Sequence, residues 1–268
     1  MENNKKFSMT LAQPEILKDS IKVLSGLITE ARLNISREGI KIIEMSPSNV
    51  GMAIWQLLPS ACVEYETQEE PFSIGINLEN FLNILKNAKK SDILILSLDD
   101  DSNNLNISLK GNMTRDYTLP LIDLSEMQET KIPDLIFKAK VKMLSGDFDD
   151  AVNEADTIAE SALFEAIEAY VELSPEHEPK QIQTSFIMSA VSDLNKLNIP
   201  FREDDNTKIE GEAKSKYSLE YLKKMSAAKC LSDDVILEFG TDSPLKLTYR
   251  QVDKLSLSLM LAPRVEND

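Results

Sequence analysis

The 268-residue chain contains 28% charged and 42% hydrophobic residues, an ordinary composition for a soluble protein, and its length predicts two domains of about 130 residues. No apolar run approaches the roughly 20 residues of a membrane span, and the first six residues lack the apolar core of a signal peptide, so we expect an intracellular protein that does not contact membranes. The formal net charge of −16 repels phosphate at long range. At physiological salt this field decays over about 8 Å, so the local placement of lysines decides whether nucleic acid can bind.

Apolar periodicity predicts a strand-rich first half with two helices. The first helix begins near Pro14 and carries its apolar stripe from Ile16 to Ile28, and the second spans Leu78–Lys89. Strands are predicted at Phe7–Ala12, Ala31–Ser36, Ile40–Met45, Val50–Leu58, Phe72–Ile76, Ile93–Leu98, Leu105–Leu109 and Met113–Leu119.

A stretch with neither helical nor strand period lies at the midpoint of the chain. Pro120 and Pro133 bracket it and bias the residues before them toward extended geometry. Its apolar residues recur irregularly, so we interpret it as a connector laid over a surface and held down by those side chains. The predicted domains are 1–119 and 136–268, with the connector at 120–135.

The same order of elements returns after the connector. A strand at Phe137–Met143 precedes a helix at Phe148–Ile158, and Tyr217–Ala228 matches the second helix of the first half. Strands at Val235–Phe239 and Leu245–Arg250 follow. We therefore predict an internal duplication and an α+β fold with antiparallel sheets, with additional residues near 176–206 in the second half.

Candidate catalytic residues are sparse. His177, the single histidine, lies in a turn-like segment where a solvated side chain is favoured over a catalytic one. There is no phosphate loop, GxSxG or HExxH motif, and Cys62 and Cys230 are predicted to be free thiols. Carboxylate clusters at 99–101, 149–150 and 204–205 leave a metal-dependent nuclease open, but turns and exposed helix faces explain them better. We expect no catalytic residue, no metal and no cofactor.

Lysines recur on the predicted helices, at equivalent places in the two halves. Lysine is the default residue of a solvent-facing helix, and the helix dipole favours it near a C-terminus. Equivalent placement in a duplicated fold favours a shared phosphate-binding surface instead. The candidate DNA-facing residues are Lys18, Lys22, Lys86, Lys89, Lys90, Lys223 and Lys224.

Short motifs occur in a defined order along nearly the whole chain. The tail reads Leu-Ala-Pro-Arg-Val-Glu from Leu261, and Asp123-Leu124 precedes Ile132-Pro133 in the connector. The other motifs are Gln13 to Lys18, Glu44 to Val50, Ser145 to Phe148, Tyr217 to Leu222 and Phe239 to Leu247. In order and spacing they resemble the proliferating cell nuclear antigen (PCNA) family of sliding DNA clamps, nearest its archaeal members.

The resemblance implies a trimeric ring of six similar domains with pseudo-six-fold symmetry. Two helices per domain would line the central hole, with the sheets outside. Such a ring encircles double-stranded DNA without sequence preference and acts as a processivity factor in DNA replication and DNA repair, without catalysing a reaction. The implied partners are DNA polymerase, flap nuclease, DNA ligase and the clamp loader, each docking a short peptide.

The resemblance also implies two further sets of residues. The partner-peptide pocket under the connector would comprise Met45, Val50, Met52, Leu124, Ile132, Pro244, Met260, Ala262 and Pro263. The subunit interface would pair an edge strand at Met113–Thr118 with another at Gln181–Ser189, and its candidate residues are Thr114, Arg115, Tyr117, Gln183 and Phe186. Methionines suit the pocket because their unbranched side chains adapt to varied ligands.

Three features depart from the family pattern. The helix at Asp147–Glu160 is acidic and has no lysine, the segment 176–206 is long and poorly matched, and Met260 stands where relatives often carry an aromatic residue. An unusual edge strand in that segment would suit a hetero-trimer of paralogous subunits as well as a homo-trimer. The alternatives are a checkpoint-type clamp dedicated to damage signalling and, less favoured, the metal nuclease.

Overall fold

Helices and strands follow one another in the same order twice along the chain. A computed structural model describes residues 5–100, 102–127, 130–171 and 181–264. These residues form two units. The first comprises the described residues up to Ile132 together with Arg250–Leu257, and the second comprises Pro133–Tyr249 and the described residues from Ser258.

The first unit places a helix after its first strand and another after its sixth. Buried Leu17, Ile21 and Leu24 recur at helical spacing and fix the inner face of the first helix. The elements are β1 (Lys5–Leu11), α1 (Glu15–Ser25), β2 (Glu30–Ser36), β3 (Gly39–Met45), β4 (Gly51–Leu57), β5 (Glu64–Thr67), β6 (Phe72–Asn77), α2 (Leu78–Leu85), β7 (Ile93–Asp99), β8 (Asn104–Lys110) and β9 (Thr114–Pro120). Short 3-10 turns occur at Pro59–Ala61 and Leu124–Glu126.

The second unit has the same sequence of elements. They are β10 (Ala139–Leu144), α3 (Ser145–Asp156), β11 (Ser161–Val171), β12 (Gln181–Val191), β13 (Lys196–Arg202), β14 (Lys208–Glu210), β15 (Ala213–Ser218), α4 (Leu219–Ser226), β16 (Asp234–Phe239), β17 (Leu245–Gln251) and β18 (Leu255–Leu261). A 3-10 turn, Ala227–Cys230, follows α4.

Sheet order repeats as well as element order. The first unit has the strand orders β5-β1-β7-β8-β9 and β4-β3-β2-β6, and the second has β14-β10-β16-β17-β18 and β13-β12-β11-β15. Each strand of the first unit has a counterpart at the same place in the second. The strand pairs β1–β5, β1–β7, β10–β16, β11–β12 and β12–β13 are all antiparallel. The predicted duplication and α+β class are confirmed.

The core of the second unit is a cluster of aromatic rings between its strands and α3. Phe164 packs edge-to-face against Phe148, Phe186, Tyr217 and Phe239, with ring centroids 5.2–6.2 Å apart. Such pairs each add about 0.5–1.5 kcal/mol beyond the area they bury. This cluster holds α3 against strands β11, β12, β15 and β16.

Two helices are shorter than predicted. The helix predicted at Leu78–Lys89 stops at Leu85, because the following residues form turns in which the amide of Ala88 donates to the Leu85 carbonyl at 3.0 Å. The helix predicted from Tyr217 begins at Leu219, because Tyr217 is a fully buried residue of β15. His177 lies outside the described residues.

Candidate DNA-facing and partner-binding surfaces

The lysines of the first unit lie where α1 packs beside the end of α2. Lys18 Nζ donates to the carbonyl of Ala88 at 3.5 Å, which brings this lysine of α1 next to the turn that carries Lys89 and Lys90. Asp19 lies within the field of Lys18, Lys22 and Lys90, and partial burial raises the pKa of its carboxyl. The structure therefore brings four of the predicted DNA-facing residues together. Lys86, the fifth, is exposed at the C-terminus of α2.

A buried ion pair holds this basic turn in place. The carboxylate of Asp92, 1% exposed, accepts from the backbone amide of Lys89 at 2.9 Å and pairs with the guanidinium of Arg115. The backbone hydrogen bond from Lys89 is the main reason that the pKa of Asp92 is lowered. Arg115 also donates to the carbonyl of Asn87 at 2.8 Å, so its side chain, predicted at a subunit interface, is engaged inside its own unit.

The lysines of the second unit have acidic neighbours. Lys223 Nζ lies 2.6 Å from Asp156 Oδ2 on α3, and Lys224 Nζ lies 2.8 Å from Glu220 Oε1 one turn earlier on α4. These pairs are partly solvated, where an ion pair contributes about 0–1 kcal/mol. Neighbouring carboxylates therefore already balance the charges of these two predicted DNA-facing lysines.

One acidic residue of α3 faces inward rather than toward solvent. Asp149, 7% exposed, accepts from Ser226 Oγ at 2.6 Å and from Asn153 Nδ2 at 3.0 Å, and it pairs with Lys229. Its carboxylate joins α3 to α4 and to the 3-10 turn that follows. Asp147, Asp150 and Glu154 remain exposed. The sequence analysis explained the pair Asp149 and Asp150 by an exposed helix face, which is wrong for Asp149.

Part of the predicted peptide pocket lies at one end of the β3–β4 hairpin. Met45, 38% exposed, pairs across the strands with Met52, 4% exposed. The turn between them is fixed by Ser46, whose hydroxyl accepts from the Gly51 amide at 2.9 Å. Val50 is half-buried beside this turn. Met45 therefore offers an apolar surface to a ligand, whereas Met52 belongs to the core of the sheet.

The pocket residues of the second unit lie on a loop and on the C-terminal tail. Tyr217 donates its hydroxyl to the carbonyl of Ser243 at 2.8 Å and so fixes the loop before Pro244. The amide of Arg264 donates to the carbonyl of Lys216 at 2.7 Å, which holds the tail along β15. The remaining members are Met260, which is buried, and Ala262 and Pro263, which are half-buried.

The connector is held by hydrogen bonds as well as by apolar contacts. The amide of Ile122 donates to the carbonyl of Gly75 on β6 at 2.8 Å. A Cβ at residue 75 would lie 2.8 Å from the Ile122 carbonyl oxygen, so the approach requires glycine. Leu124, another predicted pocket residue, contacts Gly75 and is half-buried, and Ile132 is 43% exposed.

Arg32 reaches the connector from β2, a contact that the sequence did not reveal. Its Nη2 donates to the carbonyl of Met127 at 2.8 Å and to that of Leu124 at 3.4 Å. The nearby carboxylate of Glu44, 8% exposed, accepts from the Arg32 amide at 2.9 Å. Burial raises the pKa of Glu44, and the Arg32 amide and charge oppose the rise. In the sequence, the only sign of this contact was a charged residue on each of two neighbouring strands, Arg32 on β2 and Glu44 on β3.

β12, the strand predicted to be the open edge of the second unit, is not at the edge of its sheet. Its neighbour β13 is the terminal strand. From Ser185 to Val191, β12 pairs with β13, and over most of its length it pairs with β11 on the other side, so β12 is an interior strand. Phe186 is fully buried and stacks on Phe201, so its assignment to a subunit interface is wrong. Gln183 lies on β12 beyond the stretch paired to β13, and its side chain is outside the described residues.

β13 in the second unit and β9 in the first are edge strands. Each is the last strand of its sheet among the described residues. Thr114 is exposed and Tyr117 half-buried on β9, and their assignment to a subunit interface stays a prediction.

No site for a metal ion and no membrane-spanning helix is found within the described ranges. No group of three or more His, Cys, Asp or Glu side chains among those residues is placed to hold a metal ion. No helix there is long and apolar enough to cross a membrane. The thiols of Cys62 and Cys230 are not joined in a disulfide, and burial raises the pKa of Cys62 to about 11.

Known proteins are similar to this chain in sequence. Residues 6–130 match the family described as proliferating cell nuclear antigen, N-terminal domain, and residues 131–264 match its C-terminal domain. The chain is 36% identical over 252 residues to the DNA polymerase sliding clamp of Thermococcus gammatolerans, covering 92% of this chain and 94% of that protein. It is 29% identical over 260 residues to the sliding clamp of Nanoarchaeum equitans, covering 96% and 98% respectively.

The fold has a solved counterpart. The crystal structure of proliferating cellular nuclear antigen from Entamoeba histolytica matches with a TM-score of 0.85 at 18% identity, covering 97% of this chain and all of that one. The sequence matches and this fold agree along the whole described chain. The chain belongs to the proliferating cell nuclear antigen family.

Proposed function

We propose that the chain is one subunit of a sliding clamp that encircles double-stranded DNA and tethers replication and repair enzymes, inside the cell and at the chromosome. The observation that carries the proposal is the consecutive match to both domains of the family, over residues 6–264. The repeated order of strands and helices supports it, because a ring of six similar domains needs two equivalent domains in each of three subunits. The role is mechanical and requires no catalytic residue.

Assembly would use the edges formed by β9 and β13. An edge strand presents unpaired backbone N–H and C=O groups, and these are satisfied when another strand pairs with it. We propose that β9 of one subunit pairs with β13 of the next. Pro200 lies in β13 and has no N–H, so this edge offers one donor fewer than a standard strand. The partner subunit would be a second copy or a paralogue.

DNA would be held mainly by the lysines of the first unit. Lys18, Lys22, Lys89 and Lys90 form one basic group, whereas Lys223 and Lys224 are paired with carboxylates. Contacts from a few lysines give weak and salt-sensitive binding, in the non-specific range of roughly 10⁻⁴–10⁻⁶ M. Weak contacts suit a ring that must slide, because retention then depends on encirclement.

Partners would bind through the apolar residues assigned to the pocket. Met45 and Ile132 support this proposal, because each is a large apolar side chain, 38% and 43% exposed, whose burial against a partner would remove apolar surface from water. The occupants would be short motifs of DNA polymerase, flap nuclease, DNA ligase and the clamp loader.

The decisive experiment compares retention on closed and open DNA. The assembled ring is loaded onto nicked circular duplex by its clamp loader, and the bound protein is measured before and after linearisation at moderate salt. We expect stable retention on the circle and loss from the linear form. Equal retention on both forms would show that affinity rather than encirclement holds the DNA and would refute the proposal.

A further inference from the structure

The described part of the connector contains one 3-10 turn, Leu124–Glu126, whose two ends have different anchors. At its start, Asp123 Oδ1 accepts from the amide of Ser125 at 2.9 Å, and this backbone hydrogen bond lowers the pKa of Asp123. At its end, the amide of Met127 donates to the carbonyl of Leu124 at 3.1 Å. A turn this short has few internal hydrogen bonds, so its conformation depends on external partners.

Arg32 supplies that partner at the carbonyl end of the turn. Its Nη2 lies 2.8 Å from the oxygen of Met127 and 3.4 Å from that of Leu124, so one group bridges the two carbonyls. A guanidinium always carries its charge and has a planar set of donors, which suits this bridge better than the single point of a lysine ammonium. Hydrogen bonds to a charged donor contribute about 1.5–3 kcal/mol.

Arg32 is itself held in place from the neighbouring strand. Glu44 Oε1 accepts from the backbone amide of Arg32 at 2.9 Å, and the carboxylate is 8% exposed. A buried carboxylate beside a half-buried guanidinium is costly to move unless both move together. The connector, β2 and β3 are thereby joined through one polar chain of contacts.

We propose that Arg32 is a positioning residue, which fixes the connector turn and thereby sets the affinity of the partner-peptide site without contacting the peptide. The proposal rests on the proposed function of that site. Its link to the site is Leu124, whose carbonyl accepts from Arg32 and whose side chain was assigned to the pocket. A site whose border is already ordered loses less conformational entropy on binding.

The test replaces Arg32 with methionine, which keeps the apolar length and removes the donors. The matched control is Arg37→Met, because Arg37 follows the same strand and forms an exposed pair with Glu69, at 2.8 Å. Amide hydrogen exchange is measured on the ligand-free protein at Ile122, Ser125 and Met127. We expect exchange at Ser125 and Met127 to be about tenfold faster or more in Arg32→Met and unchanged in Arg37→Met.

Peptide affinity is then measured by calorimetry with a synthetic partner motif. Arg32→Met should bind about tenfold more weakly, through a less favourable entropy and with the same heat-capacity change, because the apolar contacts are unaltered. Arg32→Lys should recover part of the loss. A merely structural role would instead lower global stability and leave no local change in exchange.

The possible outcomes separate this inference from the proposed function. Unchanged exchange in the connector overturns the positioning role whether or not the wild-type protein binds peptide. Faster exchange with unchanged affinity overturns it as well. If the wild-type protein binds no peptide, the proposed pocket fails, while the exchange data still decide whether Arg32 fixes the turn. Should Arg32→Met fail to fold, the double replacement Arg32→Met/Glu44→Gln removes both charges and carries the same test.

Discussion

Lys223 Nζ on α4 lies 2.6 Å from Asp156 Oδ2 on α3, so the second unit neutralises one of its own candidate DNA-binding lysines. In the first unit Asp19 and Asp92 act on Lys22, Lys89 and Lys90 through their field, but these exposed lysines form no ion pair among the residues that the structure describes. Equivalent helices in a duplicated fold therefore carry different charge. We infer that the two units contribute unequally to DNA binding.

Replacing Asp156 with asparagine should release Lys223 and strengthen binding to linear duplex. Each additional phosphate contact steepens the dependence of log affinity on log salt by about 0.9. We expect the slope of log affinity against log salt to steepen by about this amount in Asp156→Asn, measured by fluorescence anisotropy over a salt series. Glu154→Gln removes the same charge from an exposed residue of α3 and serves as the control. Identical salt slopes in the two variants would mean that only net charge changed.

Met45→Glu should weaken partner peptides by tenfold or more while the fold is retained. Met45 is 38% exposed, so the carboxylate stays solvated in the free protein and loses its water when an apolar anchor binds. Calorimetry measures the affinity and denaturant unfolding measures the stability. Met52→Glu is the contrasting variant, because Met52 is 4% exposed and a buried charge there should reduce stability as well. Undiminished binding by Met45→Glu would remove Met45 from the pocket.

Asn198→Pro should weaken subunit association without unfolding the second unit. Proline is accommodated in an edge strand where its nitrogen faces away from the neighbouring strand, so Pro200 implies that the backbone of Asn198, two residues earlier, faces the same open side. Removing its N–H leaves β12–β13 pairing intact and subtracts a second donor from the open edge. Thr114→Pro on β9 should act in the same way.

Mass in solution checks this prediction. The single chain is 30.1 kDa, and we expect the variants to shift toward that value. Ile199→Pro should instead disturb β13 itself, because alternate residues face β12, and it should lower the stability of the unit. A wild-type chain that is already monomeric when isolated would favour assembly with paralogous subunits.

Glu44→Gln should change how stability depends on pH. Burial raises the pKa of Glu44 above its ordinary value of 4.5, so the folded state disfavours ionisation more than the unfolded state does. In the wild-type protein the contribution of Glu44 to the free energy of unfolding is most favourable below pH 4.5 and is lost as pH rises through the pKa of Glu44 in the folded state. Glutamine keeps an acceptor for the Arg32 amide and does not ionise.

Unfolding by urea between pH 4 and 7 measures the difference. The stability of Glu44→Gln relative to wild type should increase as pH rises through this interval. Glu38→Gln, at an exposed turn, is the control and should leave the pH profile unchanged. A constant difference between Glu44→Gln and wild type would contradict the raised pKa.

The sequence alone determined the local elements and the duplication. Leu17, Ile21 and Leu24 specify the buried face of α1 because helical spacing brings them to one side, whatever packs against them. The family motifs, from Gln13 to the tail at Pro263, depend on order and spacing and were therefore visible without coordinates. The bounds of the connector, 120–135, stay a prediction. The match to the N-terminal domain of the family ends at residue 130, and the match to the C-terminal domain begins at residue 131.

The tertiary structure decided which strands are edges and which charges are free. Phe186 and Phe201 both lie in alternating apolar strands, and only the pairing of β12 with two neighbours shows that Phe186 is interior. Likewise, Asp149 and Asp150 are adjacent acids in the sequence, yet the packing of α3 on α4 buries one against Ser226 and leaves the other exposed. Arg32 meets Met127 across 95 residues. Contacts between distant segments depend on how sheets and helices pack, and local sequence periodicity carries no information about that packing.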